Sequence, residues 1–191
     1  GKSEGNAIWL NPQMCSPYAF YQFWLNTADA DVVDRLKVFT FLSRERIEEL
    51  ERETQENPRA RAAQKALAHE VTTWVHGEQE TARVEAATAA LWSGDADSLR
   101  NIDAFTLAGA TADLPSAQLE VGKSTIIDLL VATGLEKGRG AARKTVAQGG
   151  AYLNMRKVSD EDAVITEDDL LAGGVVLVRK GRRKLAVARA N

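Results

Sequence analysis

The stretch from Lys137 to Asn154 reads Lys-Gly-Arg-Gly-Ala-Ala-Arg-Lys-Thr-Val-Ala-Gln-Gly-Gly-Ala-Tyr-Leu-Asn. Arg139 and Arg143 are four residues apart, so on a helix they share one face. Ala142 and Val146 share a neighbouring apolar face, and Lys144 widens the basic side. Gln148-Gly149-Gly150 predicts a helix stop, because glycine accepts the left-handed conformation many helix ends need. Tyr152 and Leu153 follow in strand-like composition, and Asn154 closes the run. Cations one turn apart, a glycine stop and a strand can grip a phosphate backbone. The same residues also fit a solvated surface helix.

Other chemistry-bearing residues do not assemble into a site. Gly122-Lys123-Ser124-Thr125 resembles the end of a phosphate-binding loop, but position 117 is Ala117 where that loop needs glycine. Pro115 and Ser116 also stand where a strand should precede it. His69-Glu70 suggests a zinc-protease helix, yet the second histidine should stand at 73, which is Thr73. Cys15 has no histidine near it in sequence, and no metal is expected to bind this chain. Gly1-Lys2-Ser3 is different: a mobile Lys/Ser loop can hold a triphosphate through a point charge and a hydroxyl.

These residues sit in a chain of 191 residues with one cysteine and a formal net charge of −3. One cysteine excludes an internal disulfide and favours a reducing, cytoplasmic setting. No apolar run approaches the roughly 20 residues of a membrane span, and no signal peptide opens the chain. The charge is unevenly spread. Residues 1–123 hold 12 Lys and Arg against 19 Asp and Glu, a net −7, whereas residues 124–191 hold 12 against 8, a net +4. A polyanion would therefore meet the C-terminal part. The opening Gly-Lys-Ser-Glu-Gly-Asn, without an initiator Met, reads as the downstream piece of something longer.

The elements that must position the basic residues follow from periodicity. Ser16-Pro17 starts a helix holding the aromatic run Phe20, Tyr21, Phe23 and Trp24. Thr27 restarts one with Val32, Val33, Leu36 and Phe39 at helical spacing, and Ser43 caps a third with Ile47 and Leu50 inward. Pro58 opens a fourth through Ala62, Ala66, Leu67, Val71, Trp74 and Val75, which Gly77 ends. A fifth runs to about Trp92 and ends at Gly94. Ser98 caps a sixth through Ile102, Phe105 and Leu107. Residues 16–108 thus predict a small all-α helical bundle, and 109–123 an extended linker. Ser124 caps a helix with Ile126, Leu129 and Leu130, which Gly134 ends before the basic helix. Residues 160–169 read as an acidic loop. Val175 to Val178 form a strand, Arg179 to Lys184 a basic turn, and Leu185 to Ala188 a returning strand. The expected class is α+β, a helical bundle followed by a small α+β module with two basic patches at 124–191.

A family comes into view at the flanks. Gly1 to Leu10, then Ser16 to Asn26 (Ser-Pro-Tyr-Ala-Phe-Tyr-Gln-Phe-Trp-Leu-Asn), resembles bacterial tyrosyl-tRNA synthetases just after their Lys-Phe-Gly-Lys-Ser loop. Gly1, Lys2 and Ser3 match the last three positions of that loop, and residues 1–15 read as its remnant. The bundle resembles the family's anticodon-binding domain. Residues 124–191 resemble the RNA-binding module named after a ribosomal small-subunit protein, through Gly140 to Lys144 and Gln148-Gly149-Gly150…Asn154.

The resemblance implies ATP as a substrate of the parent enzyme, which forms tyrosyl-adenylate and passes tyrosine to its tRNA. It implies that Lys2 contacts the ATP phosphates, supported by Ser3. The catalytic domain and the main contact of the parent homodimer lie upstream of this loop. The chain is therefore expected to be a truncated or cleaved portion, inactive and monomeric by itself, with no membrane partner. Its partners would be tyrosine tRNA, including the long variable arm, and the missing catalytic domain. Lys137, Arg139, Arg143 and Lys144 are the expected phosphate contacts, with hydrogen bonds from Gln148 and Asn154. Arg179, Lys180, Arg182, Arg183 and Lys184 form a second patch. A stand-alone RNA-binding protein would share residues 124–191 but leave Gly1 to Asn26 unexplained. A helical protein-interaction module with an incidental basic tail would show negligible RNA affinity.

Overall fold

Ser16 and Ser43 act as their positions predict. In the computed structural model, which describes residues 8–93 and 96–191, the Ser16 hydroxyl accepts from the Ala19 amide at 3.1 Å. Ser43 likewise accepts from Arg46 at 3.2 Å. Each satisfies an amide the first helical turn leaves without a partner, worth about 1 kcal/mol. They open α1 (Pro17–Leu25) and α3 (Arg44–Glu56). Between them α2 (Asp29–Phe39) has no side-chain cap. Pro58 opens only a 3-10 turn, Pro58–Ala60. Arg61 then turns left-handed before α4 (Ala62–His76), and Gly77 ends it.

Packing divides the chain after Glu85 into two units. The first is helical. Phe20, Tyr21, Trp24, Val32, Leu36, Ile47, Leu50, Leu67 and Val71 form its core. Gln64, fully buried, crosses from α4 to donate to Asp29 at the start of α2. Trp74 is exposed and meets Phe41 edge to face at 5.9 Å. Burial, with the Glu85 carboxylate beside it, pushes the Tyr21 hydroxyl up to about 12.

The second unit takes over within α5 (Glu78–Ser93) and continues through α6 (Ala96–Arg100) and α7 (Ala104–Thr111). Ser98 lies inside α6. The cap here is Asp103, which accepts from the Thr106 amide at 2.9 Å. The expected stop at Gly94 lies outside the described residues. The segment read as a linker supplies the end of α7 and a strand, β1 (Ser116–Leu119). Further on come α8 (Ile126–Ala132), α9 (Arg139–Ala147), β2 (Ala151–Leu153), β3 (Arg156–Lys157), β4 (Val175–Lys180) and β5 (Lys184–Ala190).

The five strands order as β1-β5-β4-β2-β3, with β1 parallel to β5 and the other pairs antiparallel. Thr125, one residue after the expected Ser124, caps α8 in a reciprocal box with Asp128. Ser124 instead accepts from the Glu120 amide. Ile126, Ile127, Leu129 and Leu130 of α8 and Ala142 and Val146 of α9 pack with Val176 and Val178. Strand residues alternate between faces, so both helices cover one side of the sheet. The fold is α+β, a helical bundle followed by a small mixed sheet with its own helices.

Candidate nucleic-acid interface

Helix α9 buries Ala142 and Val146 and leaves Arg139, Arg143, Lys144 and Gln148 exposed. Lys137 is exposed just before it. Gly138 holds the N-cap position with no side-chain cap, and the first turn has no acidic residue. The positive end of the helix dipole is therefore reinforced by cations and offset by no carboxylate within the turn. Two of these cations have partners from other segments. Arg139 pairs with Asp128, and Arg143 lies 3.5 Å from Glu161. Such exposed pairs are worth about 0–1 kcal/mol, so a phosphate can replace the carboxylate at small cost. Lys137 and Lys144 have no ion pair among the described residues.

The second patch is tied to the first through the backbone. Strands β4 and β5 meet at Gly181-Arg182-Arg183, and Arg182, Arg183 and Lys184 are exposed. The Gly181 amide donates to the Gly150 carbonyl at 2.8 Å, which ties the hairpin tip to the glycine stop of α9. Ala151 pairs with Lys180 in the sheet register. Lys180 turns inward. Its Nζ lies 2.7 Å from Glu136 Oε1 and 3.4 Å from the Leu135 carbonyl. Glu136, buried, also accepts from the Thr145 hydroxyl of α9. The Lys180 hydrogen bond, joined by Thr145 and opposed by burial, holds the Glu136 carboxyl below its ordinary range. Lys180 thus serves the fold.

Two other expected contacts differ in kind. Asn154 is buried and spent on the backbone. Its amide donates to the Asp169 carbonyl, while its oxygen accepts from the Leu177 amide at 2.8 Å. Arg179 lies with its guanidinium carbon 4.2 Å from the centroid of the Tyr152 ring, and its Nε is buried with no acceptor among the described residues. A further cation escaped the sequence reading: Lys157, on β3 opposite Tyr152. Its side chain lies against Gly149, where an added Cβ would fall 2.3 Å from Nζ. Arg156-Lys157 was visible in the sequence as a basic pair, but nothing marked it as a strand.

The remaining motifs carry no comparable arrangement. Lys2 and Ser3 lie outside the described residues. Lys123 pairs with Glu120 at 2.7 Å in a turn. His69 meets Glu85 at 2.9 Å on the helical unit. Cys15 is a free thiol whose pKa burial raises. Among the described residues no group of three or more His, Cys, Asp or Glu could hold a metal, and no helix is long and apolar enough to cross a membrane. The chemistry on offer is electrostatic. Lys137, Arg139, Arg143, Lys144, Lys157, Arg182, Arg183 and Lys184 are all exposed and offer donors only.

Comparison with known proteins places both parts of the chain. Residues 1–93 match the family of class I tRNA synthetases for tryptophan and tyrosine. Residues 106–188 match the C-terminal domain of tyrosine–tRNA ligases. A tyrosine–tRNA ligase of Kineococcus radiotolerans is 50% identical over 97% of this chain and 44% of its own length. One of Streptomyces coelicolor is 48% identical over 97% of this chain and 43% of its own. The chain thus spans less than half the length of these relatives. A solved, C-terminally truncated mitochondrial tyrosyl-tRNA synthetase of Aspergillus nidulans aligns with 45% of this chain and 25% of its own, at 40% identity and a TM-score of 0.44.

Proposed function

The chain belongs to the tyrosyl-tRNA synthetase family, whose C-terminal region it represents, and from that premise we propose that it is the tRNA-binding part of a tyrosine–tRNA ligase. The whole enzyme would activate tyrosine with ATP and attach it to tyrosine tRNA in the cytoplasm. The observation that carries the reading for this chain is the junction of the two basic patches. The hydrogen bond from Gly181 to Gly150 and the Lys180–Glu136 pair join the hairpin to the segments on either side of α9, which supports a single basic surface.

On that surface Lys137, Arg139, Arg143 and Lys144 contact successive phosphates, and Arg182, Arg183 and Lys184 extend the track. Gln148 stands exposed beside them and supplies a neutral donor. Arg179 and Lys180 act from below, one stacked and one paired. The helical residues 16–108 would serve the anticodon end of the tRNA, and the module the tRNA body and its long variable arm. Lys2 and Ser3 would belong to the ATP-binding loop of the whole enzyme, Lys2 stabilising the charge that builds on the phosphates. The whole enzyme would act as a homodimer.

The test is equilibrium binding of this chain to tyrosine tRNA, beside the same tRNA with its long variable arm deleted. The reading expects tighter binding of the armed tRNA and weaker binding by Arg143→Ala with Lys144→Ala. Equal affinity for both would leave only a generic RNA-binding module.

A further inference from the structure

Between residues 106 and 191 the sequence holds a single aromatic side chain, Tyr152. The core of this module is otherwise aliphatic: leucine, isoleucine, valine and alanine. Tyr152 takes no place in that core. Its strand neighbours Ala151 and Leu153 pack there, and the ring points to the other face of the sheet, half-exposed. Tyr152 pairs with Lys157 on β3 and with Arg179 on β4. Residues directly paired across strands share a face, so Lys157, Tyr152 and Arg179 form a row of cation, aromatic ring and cation. The row begins where α9 ends, since Lys157 lies against Gly149. Arg179 has no carboxylate partner among the described residues. Its charge rests over the Tyr152 ring at 4.2 Å.

We propose that Tyr152, flanked by Lys157 and Arg179, is a stacking platform for an unpaired nucleobase of the bound RNA. The proposal rests on the RNA-binding reading above and adds what that reading lacks, a contact to a base. Phosphate contacts hold an RNA by charge and carry a salt dependence. A base stacked on an aromatic ring is held with little salt dependence, and each such contact is worth about five- to hundred-fold in affinity. Lys157, exposed on one side, holds a phosphate of the same strand, while Arg179 backs the ring. Tyr152 is then the one side chain of this surface that meets a base rather than a charge.

The two contributions separate in a salt series with the full chain and tyrosine tRNA. Tyr152→Leu is expected to weaken binding about five- to hundred-fold at every salt concentration, with the slope of log K against log salt unchanged. Tyr152→Phe is expected to bind like wild type. RNA carrying 5-iodouridine at single-stranded positions is expected to photo-crosslink to Tyr152, read by mass spectrometry of the peptide. Unchanged affinity in Tyr152→Leu would overturn the platform while leaving phosphate binding intact. A loss accompanied by a shallower slope would also overturn it, since Tyr152 would then serve only to hold Arg179. A wild-type chain that bound no RNA at low salt would overturn the RNA-binding reading itself.

Discussion

Lys180 Nζ lies 2.7 Å from Glu136 Oε1, and through this pair the hairpin is locked to the turn that launches the basic helix. Glu136→Gln keeps the shape and removes the charge. We expect it to cost about 1–2 kcal/mol in urea denaturation, a charged hydrogen bond discounted for the partial exposure of Lys180.

The same pair sets a pH dependence. Glu136 is held below its ordinary range, so the folded state favours its ionised form. Its contribution is fully present above the ordinary carboxylate pKa, about 4.3, and is lost as pH falls below that through the lowered folded value. The stability difference between wild type and Glu136→Gln should therefore close on acidification. A difference that widened in acid would contradict this.

Asn154→Ala separates structure from binding. Removal of the side chain leaves the Leu177 amide and the Asp169 carbonyl without their partner. It also places alanine at a φ of 46°. A cost of about 2–3 kcal/mol is expected in thermal or urea unfolding. The salt slope of RNA binding by the folded variant should stay as in wild type.

Gly149→Ala should damage both. The residue sits at a φ of 69°, and its new Cβ would displace the Lys157 side chain. About 1–2 kcal/mol of backbone strain is expected, together with weaker RNA binding. An alanine variant as stable and as tight as wild type would mean that Lys157 does not occupy this position.

Arg182→Ala with Arg183→Ala removes charge from exposed positions of the hairpin turn. Stability should stay within about 0.5 kcal/mol. The magnitude of the RNA salt slope should fall by roughly 0.7–0.9 for each arginine that contacts a phosphate.

Most of what positions the site could be read from local signals. Ser16, Ser43 and Gly77 bound their helices because capping acts within a few residues. Ala142 and Val146 gave the buried side of α9 by spacing alone. Strand β1 was hidden because Ser116 to Leu119 is short and half polar, and its partner β5 lies some 70 residues on, paired in parallel. Lys157 was hidden for a similar reason. The two-residue turn before it has Asn154 and Met155 both at positive φ, and methionine is not a residue that announces such a turn. Asn154 was expected to bind because it closes the Gln148-Gly149-Gly150…Asn154 signature. Only tertiary packing shows its amide spent on Asp169 and Leu177. Lys180, expected in the turn, instead ends β4, paired with Ala151 and Lys184, and its ion-pair partner Glu136 lies 44 residues earlier, beyond any local pattern.

The most direct test of the central claim is the binding of this chain to tyrosine tRNA over a salt series. If the joined basic surface neutralises four to six phosphates, log K should fall with log salt at a slope of roughly −3 to −5. A slope near zero, or no binding at low salt, would mean that the cations of α9 and the hairpin tip are only a solvated face, and would contradict the account.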